Sequence, residues 1–295
     1  MGRPRPSTLA RTRAMLAAHP LAAALAVLVA SLFVLAVLPA DTLPAMAAQS
    51  LLLAALILAA LAFICPQRLA LPHPHPRHRD EAVGAHEVPL ASPRAERVLV
   101  PGVLGVALVA GVLSLAALPA APGPAPEPAA LAVRIALALA VCAGTGIFEE
   151  GLFRVIALDA LVAVLPPGRT CRLRAAALSA AVFGLLHLGG TPPATGDAVA
   201  GAQLALKPLE AALFGFVMAA VYFRTQNLWS AAGVHAAFDA LSLAPLLAAT
   251  GAAPTTHVTG QLCDLVPLAA AALLLVPLVL AAARTLRCPP AQDGL

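Results

Sequence analysis

At 295 residues the chain carries only 11% charged side chains against 61% hydrophobic ones, with a mean hydropathy of +0.91. Soluble domains hold about a quarter charged residues, so a soluble globular protein is excluded and an all-α, polytopic membrane helical bundle is indicated. The net charge of +4 comes almost wholly from arginine, Lys207 being the sole lysine; arginines grouped in short segments between apolar runs report membrane topology and give no case for a nucleic-acid partner.

Eight apolar spans are predicted, at about 20–39, 45–65, 98–119, 130–165, 175–189, 200–222, 228–248 and 262–283. A signal peptide is the alternative reading of residues 1–40, but the apolar run is longer than a usual signal core. Between the second and third spans lies a proline-rich stretch, "HPHPRHRD", whose His73, His75 and His78 are read as a solvated loop, with metal binding as the alternative. The fourth span is too long for one straight crossing, about 50 Å against a core of roughly 30 Å. It must tilt, break or run along the interface, with Gly144, Gly146 and Gly151 as candidate break points.

Eight crossings put Arg3, Arg5, Arg11, Arg13, Arg68, Arg77, Arg79, Arg94, Arg97, Arg169, Arg172, Arg174, Arg224, Arg284 and Arg287 on one side. Of the 18 basic residues, that leaves Arg134, Arg154 and Lys207 elsewhere. Both termini are therefore expected in the cytoplasm. Alanine and arginine enrichment suggests a GC-rich bacterium and its inner membrane. The five cysteines are scattered without a C-x-x-C, which suggests neither a zinc cluster nor a disulfide framework. No internal repeat supports an inverted-repeat transporter. Three regions are expected: residues 1–125 as an N-terminal transmembrane region with loop 66–97, 126–250 as the functional core, and 251–295 as the last helix and tail.

Charges inside the membrane cost about 2.5–3.5 kcal/mol each on insertion scales and mark function by default. "FEEGLFR" puts Glu149, Glu150 and Arg154 inside the fourth span. Glu150 and Arg154, at i and i+4, share a helical face and can pair, whereas Glu149 points about 100° away and is left for proton chemistry. "FGLLH" aligns Phe183 with His187, and "HAAFD" aligns His235 with Asp239. Counting helical rise from the arginine-bearing ends, His187, His235, Asp239 and Glu149 come at about 20, 16, 22 and 24 Å, a common depth. The alternatives are a packing histidine, a structural Glu150–Arg154 pair and a Glu/His proton relay for transport. Glu210 near Lys207 reads as another ion pair toward the opposite end.

These three motifs, in this order, resemble the EExxxR, FxxxH and HxxxN motifs of the CAAX-protease and bacteriocin-processing (CPBP, Abi) intramembrane proteases, over about residues 130–250. The resemblance implies a membrane-embedded endopeptidase with a cytoplasm-accessible site. Glu149 would activate water with help from His187, His235 and the residue at 239 would stabilise the oxyanion, and Glu150, Arg154 and Phe183 would support them. It implies a membrane-associated peptide or protein substrate, such as a prenylated tail, a leader or a sorting tail, beside membrane lipid. No cofactor is required, although Glu149, His187, His235 and Asp239 could form a shell for a divalent metal such as zinc. Val155 stands where the family often has glycine, and Asp239 where it usually has asparagine. Ionised aspartate cannot donate a hydrogen bond, so Asp239 is expected to be protonated, to orient His235, or to bind metal. A non-catalytic transporter, immunity or scaffold protein of the same fold is the rival reading.

Overall fold

The computed structural model describes residues 18–38, 40–70, 96–118, 126–188, 197–251 and 258–287, together with Thr12, Arg13, Met15 and Leu16. Every regular element among them is a helix, as lipid requires of a chain whose backbone must satisfy its own hydrogen bonds. In chain order these are α1 (Pro20–Val37), α2 (Leu43–Ile64), a 3-10 turn (Pro66–Leu69), α3 (Glu96–Ala116), α4 (Pro128–Glu149), a π-helix (Glu150–Ala157), α5 (Leu158–Val164), α6 (Cys171–Leu185), α7 (Ala198–Thr225), α8 (Leu228–Ser242), α9 (Ala244–Thr250) and α10 (Leu262–Leu286). His73, His75 and His78 lie outside the described residues.

Side-chain caps set several starts: Thr42, Asp197 and Asn227 accept from the amides of Ala45, Ala200 and Ser230. Helix α7 stops where Gln226 enters the left-handed region, at φ 50.

Among the described residues each of the eight predicted spans is helical over most of its length, and six helices there are long and apolar enough to cross a membrane. A seventh follows if α8 and α9, which meet at 45°, count as one bent span. The fifth predicted span, α6, has only 15 residues, about 22 Å, and falls short of a crossing by itself. The overlong fourth span neither breaks nor leaves the bundle. It runs continuously over 37 residues, Pro128–Val164, and its hydrogen bonds widen to π register over Glu150–Ala157. Its glycines serve close packing: a Cβ on Gly146 would lie 2.8 Å from the carbonyl oxygen of Ala232 in α8, and one on Gly144 would lie 2.7 Å from the Ser50 backbone in α2.

The helices close into a ring, with neighbours in the order α4, α8, α3, α10, α7, α6 and, through α5 and the π-helix, back to α4. At one end of the ring Arg68 pairs with Asp159 at 2.9 Å and donates to the Gln226 side chain at 2.8 Å. Tyr222 donates to Asp159, Trp229 to the Leu69 carbonyl and Asn227 to that of Ala70. Behind this latch Leu61, Leu99, Leu158, Met218, Tyr222 and Leu228 are fully buried. At the other end Gln203 accepts from the amides of Thr259 and Gly260 and donates to Thr259 Oγ1 and the Gln261 carbonyl. Arg134 donates to the Ala249 carbonyl there.

Candidate active site

The last residue of α4 and the first of the π-helix are the adjacent glutamates. Helix α8 crosses them at Gly146, and this close approach brings His235 against both. Glu150 Oε1 lies 2.7 Å from His235 Nδ1, and Glu150 Oε2 lies 3.2 Å from Arg154 Nε. Glu149 Oε2 lies 3.5 Å from His235 Nε2, and Asp239 Oδ2 is 3.7 Å from the same nitrogen. Glu150 and Arg154 are fully buried, whereas Glu149 and Asp239 each keep 16% of their side-chain surface exposed. The i, i+4 pairing of Glu150 with Arg154 is thus present, and Glu150 has a second role that local spacing does not carry: it holds the imidazole.

The hydrogen bond to the ring comes from Glu150 and not from Asp239. A carboxylate only accepts, so Nδ1 carries a proton toward Glu150, and the tautomer is set from 85 residues away. Asp239, at 3.7 Å, is beyond hydrogen-bonding distance. A bare lone pair on Nε2 would face the carboxylates of Glu149 and Asp239.

His187 follows the end of α6, its Nδ1 2.8 Å from the Phe183 carbonyl. A carbonyl also only accepts, so Nδ1 donates and Nε2 is left as an acceptor. Phe183 stacks edge-on to His187, with centroids 4.7 Å apart, and its ring sits 4.6 Å from the Arg154 guanidinium carbon. Buried Arg154 is thus held by Glu150 and by aromatic rings on Phe183 and Phe153. Phe214 packs edge-on to His235.

Glu149, His187, His235 and Asp239 line one cavity of about 370 Å³, so the three motifs meet. Lys207 and Glu210, paired at 2.9 Å, line it too. Their place in the site was not read from the sequence. The signal was there: a lone lysine and a glutamate three residues apart within an apolar helix. Among the described residues no three His, Cys, Asp or Glu side chains are grouped as metal ligands, and the single Nδ1 atoms of both histidines are engaged by Glu150 and by a carbonyl. Engagement of Nδ1 leaves Nε2 as the available nitrogen of each ring, the orientation metal-ligating histidines use, but the four side chains are not grouped as a shell among the described residues, and no step below runs through a metal.

Residues 131–241 match the family described as Type II CAAX prenyl endopeptidase Rce1-like, and this stretch holds all three motifs. No curated protein and no solved structure matches the chain. The family is one of membrane peptidases, and several long apolar helices make the chain a multi-pass membrane protein.

Proposed function

We propose that this Rce1-like family chain hydrolyses a peptide bond of a membrane-associated substrate with a water activated by Glu149. The observation that carries the reading is the partly exposed Glu149 carboxylate beside His235 Nε2, in a cavity shared with His187 and Asp239. Glu149 accepts a proton from a water in the cavity, and the resulting hydroxide attacks the carbonyl carbon. His187 Nε2, an acceptor, orients that water. Charge gathers on the carbonyl oxygen, where a protonated His235 Nε2 donates to it. The C–N bond then breaks, and the proton on Glu149 passes to the leaving nitrogen, giving an amine and a carboxylic acid. Glu150 keeps the ring in place from the other side, and Arg154 neutralises Glu150. Asp239, 3.7 Å from His235 Nε2, shares a proton with that nitrogen, without contacting the oxyanion while ionised. A site with few waters strengthens each of these electrostatic interactions.

The test compares new peptide termini in membranes from cells expressing the chain or its Glu149→Gln variant, by mass spectrometry. Termini that depend on Glu149 are expected. Identical sets, with the variant folded, favour the transporter or scaffold reading.

A further inference from the structure

We propose that a second cavity, joined to the catalytic one at Lys207, is a subsite for the polypeptide on one side of the scissile bond, and that the Lys207 ammonium holds that segment by a backbone carbonyl. This rests on the peptidase reading above for the identity of the occupant. The second cavity, of about 320 Å³, falls within the size range of ligand pockets. It shares Lys207, Glu210, Phe238, Asp239 and Leu243 with the catalytic cavity, so the two meet along these side chains. A chain whose scissile carbonyl lies beside Glu149 passes from one to the other through this neck.

Helix α7 supplies the rail along which such a chain would lie. Gln203, Lys207, Glu210 and Phe214 follow at i, i+4, i+7 and i+11 and share one face. Gln203, fully buried, bonds to Thr259, Gly260 and Gln261. It thereby fixes the segment before α10, from which Thr259 and Gln261 line the second cavity. Phe214 packs on His235 in the catalytic cavity. Lys207 and Glu210 come between them, at the neck. Helix α6 closes on this part of α7, since a Cβ on Gly184 would collide with the carbonyl of Pro208, next to Lys207. The "FGLLH" motif that carries His187 is thereby held against the rail.

Lys207 is the sole lysine of the chain, and a charge within an apolar helix is expensive. The two buried ion pairs of the site differ in how they are kept. Glu150 and Arg154 are shut away, at 0% and 1% side-chain exposure, which suits a structural pair. Lys207 keeps 22% against 7% for Glu210, so the ammonium is the member that reaches the cavities. Glu210 Oε2 takes one of its three donors, at 2.9 Å. A peptide in a membrane-embedded site needs partners for its carbonyls and amides. Lys207 donates to a carbonyl, and the carboxylates of Glu210 and Asp264, both on the cavity wall, accept from amides. From Gln203 to Glu210 the rail rises about 10 Å, the length of about three residues of extended chain. Small residues on the walls, Ala110, Ser114, Ala117 and Ala271, leave room for the side chains.

The test uses the purified full chain in detergent and peptides of graded length spanning a Glu149-dependent cut found as above. For the unaltered chain, shortening the peptide from one of its ends should raise KM. Lys207→Met combined with Glu210→Gln removes both charges and strands neither. Its KM for the full-length peptide should rise about tenfold or more, the worth of a hydrogen bond from a charged donor, with kcat nearly unchanged, as for lost ground-state binding. Ser114→Phe, which fills the second cavity from α3, should do the same. For both variants the shortened peptide should cost nothing further, a result that a merely structural ion pair does not give. A KM that ignores both substitutions, or a fall in kcat at unchanged KM, overturns the subsite. A thermal melt identifies a variant that does not fold; the other then decides, and a KM independent of length at both ends of the peptide overturns the subsite with no variant at all. If no Glu149-dependent cut exists, the peptidase reading falls and the subsite with it, a result distinct from a cut whose KM is indifferent to Lys207.

Discussion

The two ends of the bundle use the same kinds of side chain to opposite effect. At the arginine-bearing end Arg68, Asp159, Tyr222 and Gln226 satisfy one another, and Asn227 and Trp229 bond to peptide carbonyls. At mid-depth and toward the other end, Glu149, Asp239 and His187 face a cavity with bonding capacity to spare. A polar group in lipid must find partners; where protein supplies them all the result is a latch, and where it leaves some open the result is a place for water and substrate. Substitutions should separate the two, and they are given from the largest expected effect to the smallest.

Glu149→Gln keeps the size of the side chain and removes its ability to take a proton. Peptidase turnover should fall by about 10²–10⁴, with the melting temperature of the purified protein nearly unchanged. Full turnover by the variant would erase the distinction between the open cluster and the latch.

Glu150→Gln should act on the fold. It strands buried Arg154 and slackens the hold on His235, and removing one partner of a buried pair costs about 3–5 kcal/mol. A thermal melt in detergent should show the loss directly. A stable but inactive variant would instead move Glu150 into the chemistry.

Asp239→Ala should lower turnover by about 10², and Asp239→Asn by less, because asparagine can donate to the oxyanion. Equal losses in both, with inhibition by a chelator, would make Asp239 a metal ligand and overturn the proton-sharing role.

Arg68→Ala should be the mildest. Its partners are partly exposed, at 24% and 33% for the two sides of the ion pair, so solvent screening limits the loss to about 1–2 kcal/mol. Turnover measured below the melting range should hold. If it collapses, the latch reaches the site and the comparison between the ends fails.

Much of this was legible in the sequence, for physical reasons. Apolar length fixed the helices to within a few residues, and the cost of charge in lipid singled out Glu149, Glu150, Arg154, His187, His235 and Asp239. Two things were hidden. The hydrogen bond from His235 to Glu150 joins residues 85 apart, and no periodicity encodes such a contact. The angle between the two glutamates was taken for a uniform α-helix, and the helix changes its winding at that point. Lys207 was seen as half of an ion pair, but whether a pair faces lipid, core or cavity depends on which helices surround it.

The π-helix at Glu150–Ala157 has a consequence for how this chain can change over time. Winding with five-residue hydrogen bonds is what a helix does when it accommodates one residue more than its phase allows. Deleting Gly151 would leave hydropathy, both glutamates and the arginine in place. Loss of that extra residue would be absorbed by rewinding to α register with the downstream phase kept, whereas a further residue added here would turn everything downstream by about a quarter turn and carry Asp159 away from the Arg68 latch. The stretch therefore has one residue of slack in the shortening direction and none in the lengthening one, so an insertion between Glu150 and Ala157 is expected to disturb the latch and the site even where every motif letter survives.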